Sequence, residues 1–282
     1  MLNMEKHVKQ GDVPMDFISN VKSIVLDLDG TLLNSQKEVS QRNIQAILGC
    51  YRKGIMIIFA TARAPRSVKF FLPKDLQEIA AIVYYNGALT IDNTSGYRQH
   101  YPVESAITGE IIDYVIAHHH SACLSIESED TWYSNKSLDY SKSMNAVVNP
   151  IVVPLQELKK IKASKLLITQ YPYYEELKNQ FEHKVNTVCT DSGTLIQIMA
   201  KGVSKKQAVM DLCVQNHISM SSIMAFGDDW NDLELFHACG YPIAMENAVH
   251  ELKELAYFVT KSNDADGVAQ VLEKLICTVN NS

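Results

Sequence analysis

An apolar run of strand length, Val21 to Leu26, breaks off into Asp27-Leu28-Asp29-Gly30-Thr31-Leu32. In an open parallel α/β sheet, ligands bind beyond the carboxyl ends of the strands, so both acids are expected to border a crevice. Left uncompensated there, they repel each other. A divalent cation between them removes that repulsion, and hard oxygen ligands around an open position suit magnesium. The plain alternative is a strand that ends in an Asx-type turn, where Asp and Gly are both common.

The rest of the chain supports a sheet of that kind. Ser40 can cap a helix that carries Ile44, Ile47, Leu48 and Tyr51 on one face and stops at Gly54. Ile55 to Ala60 then reads as a strand buried on both faces, ending at Thr61-Ala62-Arg63, and Ala81 to Tyr85 as another, ending at Asn86-Gly87. Strand, helix, strand, segment, strand predicts a parallel sheet wound right-handedly. The rhythm then changes. Leu89-Thr90-Ile91 and Tyr97 to Tyr101 flank a turn-rich stretch, a hairpin signal, and further short strands and helices follow up to Thr194 to Ile198. The parallel rhythm resumes with a helix over Ser204 to Asn216, a strand over Ser222 to Phe226, two shorter strands and a closing helix. At 282 residues the chain exceeds a typical single domain. The expected organisation is a polar extension over 1–19, a core over 20–88 and 197–282, and an inserted α+β domain over 89–196.

Composition narrows the partners. A formal net charge of −6 and the lack of a basic block argue against nucleic acid as a main partner, though a phosphate ligand would need a local basic pocket. No apolar run reaches membrane-spanning length, and the start lacks the apolar centre of a signal peptide. The six cysteines show no metal-type spacing, and most fall in apolar periodic stretches, where buried free thiols are usual. A reduced, cytoplasmic protein is expected, and nothing in the sequence speaks to its oligomeric state.

Four polar groups fall at the ends of core strands or at a helix start: Asp27 with Asp29, Thr61, Lys205, and Asp228 with Asn231 and Asp232. Each has an ordinary reading. Thr61 can cap a helix, and the late acidic cluster can complement a helix dipole. Lys205 opposes that dipole in a first helical turn, a cost that a bound anion offsets, unless water simply solvates it. Together, in this order, they resemble the four motifs of the haloacid dehalogenase (HAD) superfamily of phosphatases, from about Val21 to about Ile276. Asn86-Gly87-Ala88 and Gly202-Val203-Ser204-Lys205 further resemble its Cof-like branch, which carries a large α/β cap between the second and third motifs. One departure is Ala62, where the branch usually has glycine between the hydroxyl residue and the arginine.

The resemblance implies a Rossmann-like α/β core with a parallel sheet plus the inserted cap. It implies a magnesium-dependent phosphatase acting through an aspartyl-phosphate. Asp27 is then the nucleophile and Asp29 the general acid and base. Thr61 and Lys205 hold the phosphoryl oxygens. Mg2+ is held by Asp27, the backbone carbonyl of Asp29, and Asp228, while Asp232 orients Lys205 or a metal-bound water. Arg63, Asn86, Gly87 and Asn231 are the expected substrate contacts, with Trp132, Tyr133 and Lys136 open between specificity and packing roles. The run His118-His119-His120 is not expected to bind metal, because consecutive residues do not share a helical face. The implied substrates are small phosphorylated metabolites, sugar phosphates first, with flavin or pyridoxal phosphates behind. A phosphomutase of the phosphomannomutase type and a non-catalytic phospho-acceptor protein are the competing readings.

Overall fold

The computed structural model describes residues 20–137, 148–190 and 193–278, so the expected extension over 1–19 lies outside the described residues. The chain divides into two compact units. One comprises residues up to Ala62, Val68–Arg98 and everything from Ser204 on; the other comprises Arg63–Ser67 and Gln99–Val203.

The first unit is built on strands β1 (Ser23–Leu26), β2 (Met56–Ala60), β3 (Ala80–Tyr84), β4 (Leu89–Asp92) and β5 (Arg98–His100), joined late in the chain by β12 (Ile223–Gly227), β13 (Tyr241–Ala244) and β14 (Phe258–Val259). Their order in the sheet is β14-β13-β12-β1-β2-β3-β4-β5. The pairs from β14 to β3 are all parallel, and β4 runs antiparallel to β3. Every residue of β1 and β3 is buried, as expected for strands covered on both faces. The helix Gln41–Arg52 starts where expected: the Ser40 hydroxyl accepts from the Asn43 N–H at 3.1 Å. Register decides what this sheet can do. Leu26 lies opposite both Phe226 and Phe59, so the residues after these positions emerge at one edge. The first acid, Thr61 and the late acidic loop therefore come together from positions about two hundred residues apart.

The joins between the units differ from the sequence expectation. The hairpin assigned to the insertion belongs to the first sheet, because β4 pairs with β3 from Tyr84↔Leu89 to Ala81↔Asp92. Tyr85 and Asn86 hold left-handed φ angles of 52° and 54°, and this tight reversal turns the chain back along β3. At the far end the second unit continues to Val203, since Ile196 and Ile198 pack into its core.

The second unit has one sheet ordered β10-β11-β9-β6-β7-β8. Its strands are β6 (Cys123–Ser128), β7 (Thr131–Ser134), β8 (Ile151–Val152), β9 (Lys165–Thr169), β10 (Val185–Thr190) and β11 (Leu195–Ala200). All pairs are antiparallel except β7 with β8. Period-two alternation sends Leu124, Ile126, Leu166, Ile168, Ile196 and Ile198 into one apolar core with Ile111, Ile112 and Val115 of the helix Ser105–His118. The six cysteines form no disulfide. No described helix is long and apolar enough to cross a membrane.

Candidate active site

At the carboxyl edge of the first sheet, Asp27 follows β1 and is 5% exposed. Lys205, the first residue of the helix Lys205–Gln215, is fully buried and donates to Asp27 Oδ1 at 2.6 Å and to Asp232 Oδ1 at 2.7 Å. Burial works against the ammonium, but the Asp232 and Asp27 carboxylates outweigh it and hold Lys205 above its ordinary range. One oxygen from each of Asp27, Asp228 and Asp232 lies within 4.8 Å of the others. Lys205 thus bridges two of three clustered carboxylates. Burial raises the proton affinity of Asp27, and Asp232 and Asp228 add to the rise against the pull of Lys205. Burial likewise raises Asp228 to about 6, opposed by its hydrogen bond from Thr31 and reinforced by Asp232 and Asp229.

The late loop is shaped around the lysine. Asp229 accepts from the Trp230 N–H at 2.8 Å and caps the short turn Trp230–Asp232. Asp232 Oδ2 accepts from the Asp228 N–H at 3.2 Å, so both Asp232 oxygens have partners. Gly227 allows that approach, for a Cβ there would sit 2.5 Å from Asp232 Oδ2. Gly30, at φ +77°, plays the same part on the other side: a Cβ there would meet Asp228 Oδ2 at 2.0 Å. The Thr31 hydroxyl donates to Asp228 Oδ1 at 2.9 Å and fixes its orientation. Thr31 stood in the first motif without a role; its place after the required glycine was the available signal.

Asp29 departs from the picture of two acids sharing one cation. Its carboxylate is not one of the clustered trio and accepts from Lys37 Nζ at 2.9 Å. Both side chains are more than a third exposed, so the pair adds little stability. Sequence reasoning missed Lys37, which sits in a turn at φ 63° with no periodic pattern to mark it.

Thr61 is buried and its backbone is fixed twice: its N–H donates to Val83 O and its carbonyl accepts from the Asn86 N–H, both at 2.9 Å. Asn86 and Asn231 meet directly, Asn231 Nδ2 donating to Asn86 Oδ1 at 3.1 Å. Gly87, at φ +115°, packs against Ser204, the residue that caps the Lys205 helix. A Cβ at Gly87 would fall 2.3 Å from Ser204 O. Gly87→Ala should therefore cost about 2 kcal/mol or more through backbone strain alone. Urea unfolding measures that loss, and any activity that depends on Lys205 should fall further because the start of its helix must shift. Stability and activity equal to wild type would show that this contact does not seat the helix.

Arg63 belongs to the short segment that groups with the second unit. Within that unit Tyr133 packs on the apolar core, and Lys136 Nζ donates to Ser121 O at 2.6 Å. Trp132 is buried under the Arg66 guanidinium, 5.1 Å from the ring centroid, and Arg66 also forms a two-pronged pair with Glu127 at 2.6 Å. His118 Nδ1 is spent on Tyr114 O at 2.7 Å. Among the described residues, the acidic trio is the one grouping of potential metal ligands.

A parallel α/β sheet whose carboxyl edge gathers a buried lysine between carboxylates has the charges that an enzyme working on phosphoryl groups needs. The family model for haloacid dehalogenase-like hydrolases matches residues 24–272, and the chain belongs to that superfamily, in its Cof-like branch. Among curated proteins it is 31% identical to 5-amino-6-(5-phospho-D-ribitylamino)uracil phosphatase YwtE of Bacillus subtilis, over 91% of this chain and 98% of that one. It is 26% identical to phosphatase YwpJ of the same organism, over 91% of this chain and 100% of the relative. Among solved structures, TM0651 from Thermotoga maritima superposes with a TM-score of 0.82 at 28% identity, over 90% of this chain and 97% of the other. The protein is a phosphoric monoester hydrolase of the HAD type.

Proposed function

We propose that the protein is a Mg2+-dependent phosphatase of phosphorylated polyols and sugars that works through an aspartyl-phosphate on Asp27. One observation carries this reading: Lys205 lies buried between Asp27 and Asp232, with Asp228 in the same group. Three clustered carboxylates against one ammonium leave negative charge that fits a divalent cation bound through oxygen. The carboxylates of Asp27 and Asp228 and the backbone carbonyl of Asp29 would hold it. Both oxygens of Asp232 are engaged, which supports a role for this residue in orienting Lys205. When bound, the cation supplies positive charge against the phosphoryl oxygens.

An Asp27 carboxylate oxygen attacks phosphorus while the bond to the leaving oxygen breaks, and Asp29 gives that oxygen its proton. Lys205 and Thr61 hold the non-bridging oxygens where negative charge gathers. Water then attacks phosphorus, Asp29 takes a proton from it, and the acyl-phosphate bond breaks to free phosphate and Asp27. Arg63, Asn86, Gly87 and Asn231 are proposed substrate contacts, the Asn86–Asn231 pair standing beside Thr61 through the Asn86 N–H bond. Residues 99–203 serve as the cap.

The substrate class draws on YwtE, whose name states a phosphorylated ribityl compound. Phosphate release should be measured with the ribitylaminouracil phosphate, hexose 6-phosphates, flavin mononucleotide and pyridoxal phosphate. The ribityl or sugar phosphates should exceed the other two by about tenfold in kcat/KM, a difference of about 1.4 kcal/mol. A chelator should abolish the activity and Mg2+ should restore it. Full activity in chelator would overturn the metal assignment, and conversion of a hexose 1-phosphate to the 6-phosphate would identify a mutase.

A further inference from the structure

We infer that Asn247 is a positioning residue that sets the distance between the two loops offering metal ligands. This rests on the proposal that Asp27 and Asp228 hold Mg2+. The loop after β13 contacts both sides of that site. Its backbone runs along the late acidic loop, with the Met245 N–H on Gly227 O at 3.2 Å and the Val249 N–H on Asp228 O at 2.9 Å. From the same loop, Asn247 Nδ2 donates to Gly30 O at 2.7 Å. Asn247 thus ties the nucleophile loop to the Asp228 loop beside a close approach between them, since Gly30 leaves no room for a Cβ beside Asp228 Oδ2.

The amide cannot turn over. Asn247 Oδ1 accepts from the Asn263 N–H at 3.1 Å, which commits Nδ2 to Gly30. Asn263 braces the same loop, its Nδ2 donating to Leu33 O at 2.9 Å, and Asp264 Oδ1 accepts from the Ser35 N–H at 2.7 Å. Three successive points of the 30–35 segment are thereby anchored to loops that follow β13 and β14. A metal ligated from both loops has its affinity set in part by how firmly their separation is held; groups that bond the ligands directly are worth ten- to a hundredfold, and Asn247, one residue removed from the Asp29 carbonyl, is expected at the lower end. Asn247 is exposed, so its removal opens no cavity in the core.

Mg2+ binding to the substrate-free protein should be followed by calorimetry for wild type, Asn247→Ala, Asn247→Asp and Asp228→Asn. Asn247→Asp keeps the shape and the bond from Asn263 but turns an oxygen toward Gly30 O. Both Asn247 variants should bind Mg2+ about tenfold more weakly while their metal-free melting temperatures stay within about 2 °C of wild type. In assays the apparent Mg2+ constant should rise by the same factor, with kcat at saturating Mg2+ nearly unchanged. Mg2+ affinity within twofold of wild type in both variants would overturn the inference while leaving the metal site standing. Wild type binding no more Mg2+ than Asp228→Asn would overturn the metal reading itself, and this inference with it.

Discussion

Asp27→Asn should release phosphate at least a thousandfold more slowly than wild type while keeping its fold. The amide matches the carboxylate in shape but offers no anionic oxygen to phosphorus, and loss of a nucleophile in a concerted site removes most of the rate enhancement. Binding groups outside Asp27 remain, so KM should change far less than kcat. The fold should survive for an electrostatic reason. Asp27 is one of three clustered carboxylates around a single ammonium, and Lys205 keeps Asp232 at 2.7 Å after the substitution. Removing one negative charge relieves repulsion from Asp232 and Asp228 and leaves no buried cation without a carboxylate. A melting temperature within a few degrees of wild type would confirm that activity was lost at the chemical step. Mass spectrometry after a rapid quench gives the positive control, because wild type should carry a phosphoryl group on the peptide containing Asp27 and the variant none. Robust turnover by Asp27→Asn would remove it as the nucleophile.

How much of this was legible beforehand depends on whether the signal was local. Asp27, Thr61 and Asp228 each follow an apolar strand, and a polar residue behind such a run needs no partner to be noticed. Lys205 was legible because it opposes a helix dipole, although nothing in the sequence shows that it is fully buried. The end of the first core segment was misplaced because a hairpin looks alike in either unit. Its owner is decided by Tyr84 meeting Leu89 across a left-handed turn: Asn86 is a residue that favours such backbone, but Tyr85 before it is not, and neither says which sheet the returning strand joins. Asn247 was invisible for a related reason: its partner, Gly30, lies 217 positions away. The same holds for Arg66, whose bond to Glu127 spans 61 positions. Loop side chains that act through distant backbone carry no period and no cap motif.

Lys205 tests whether the cluster is a charge-balanced unit, and Lys205→Met should damage stability and activity together. The ammonium is the shared donor to Asp27 and Asp232, both nearly inaccessible to water. Replacing it by an apolar chain of similar length leaves those carboxylates buried beside each other and beside Asp228. Breaking a buried ion pair in this one-sided way costs about 3–5 kcal/mol. Phosphate release should drop by roughly a hundredfold or more, as expected when a preorganised charge on the phosphoryl oxygens is lost. The two losses can be separated. Adding Asp232→Asn to Lys205→Met removes one of the stranded charges, so the double variant should recover a good part of the stability. It should recover none of the activity, since no cation returns to the phosphoryl position. Urea unfolding and initial rates for the four proteins of this cycle measure the coupling directly. If the stability losses of the two single variants simply add, Lys205 and Asp232 are independent and the arrangement is not the balanced unit described. If the double variant regains activity along with stability, Lys205 serves only to hold the fold, and the phosphoryl group must find its positive charge elsewhere.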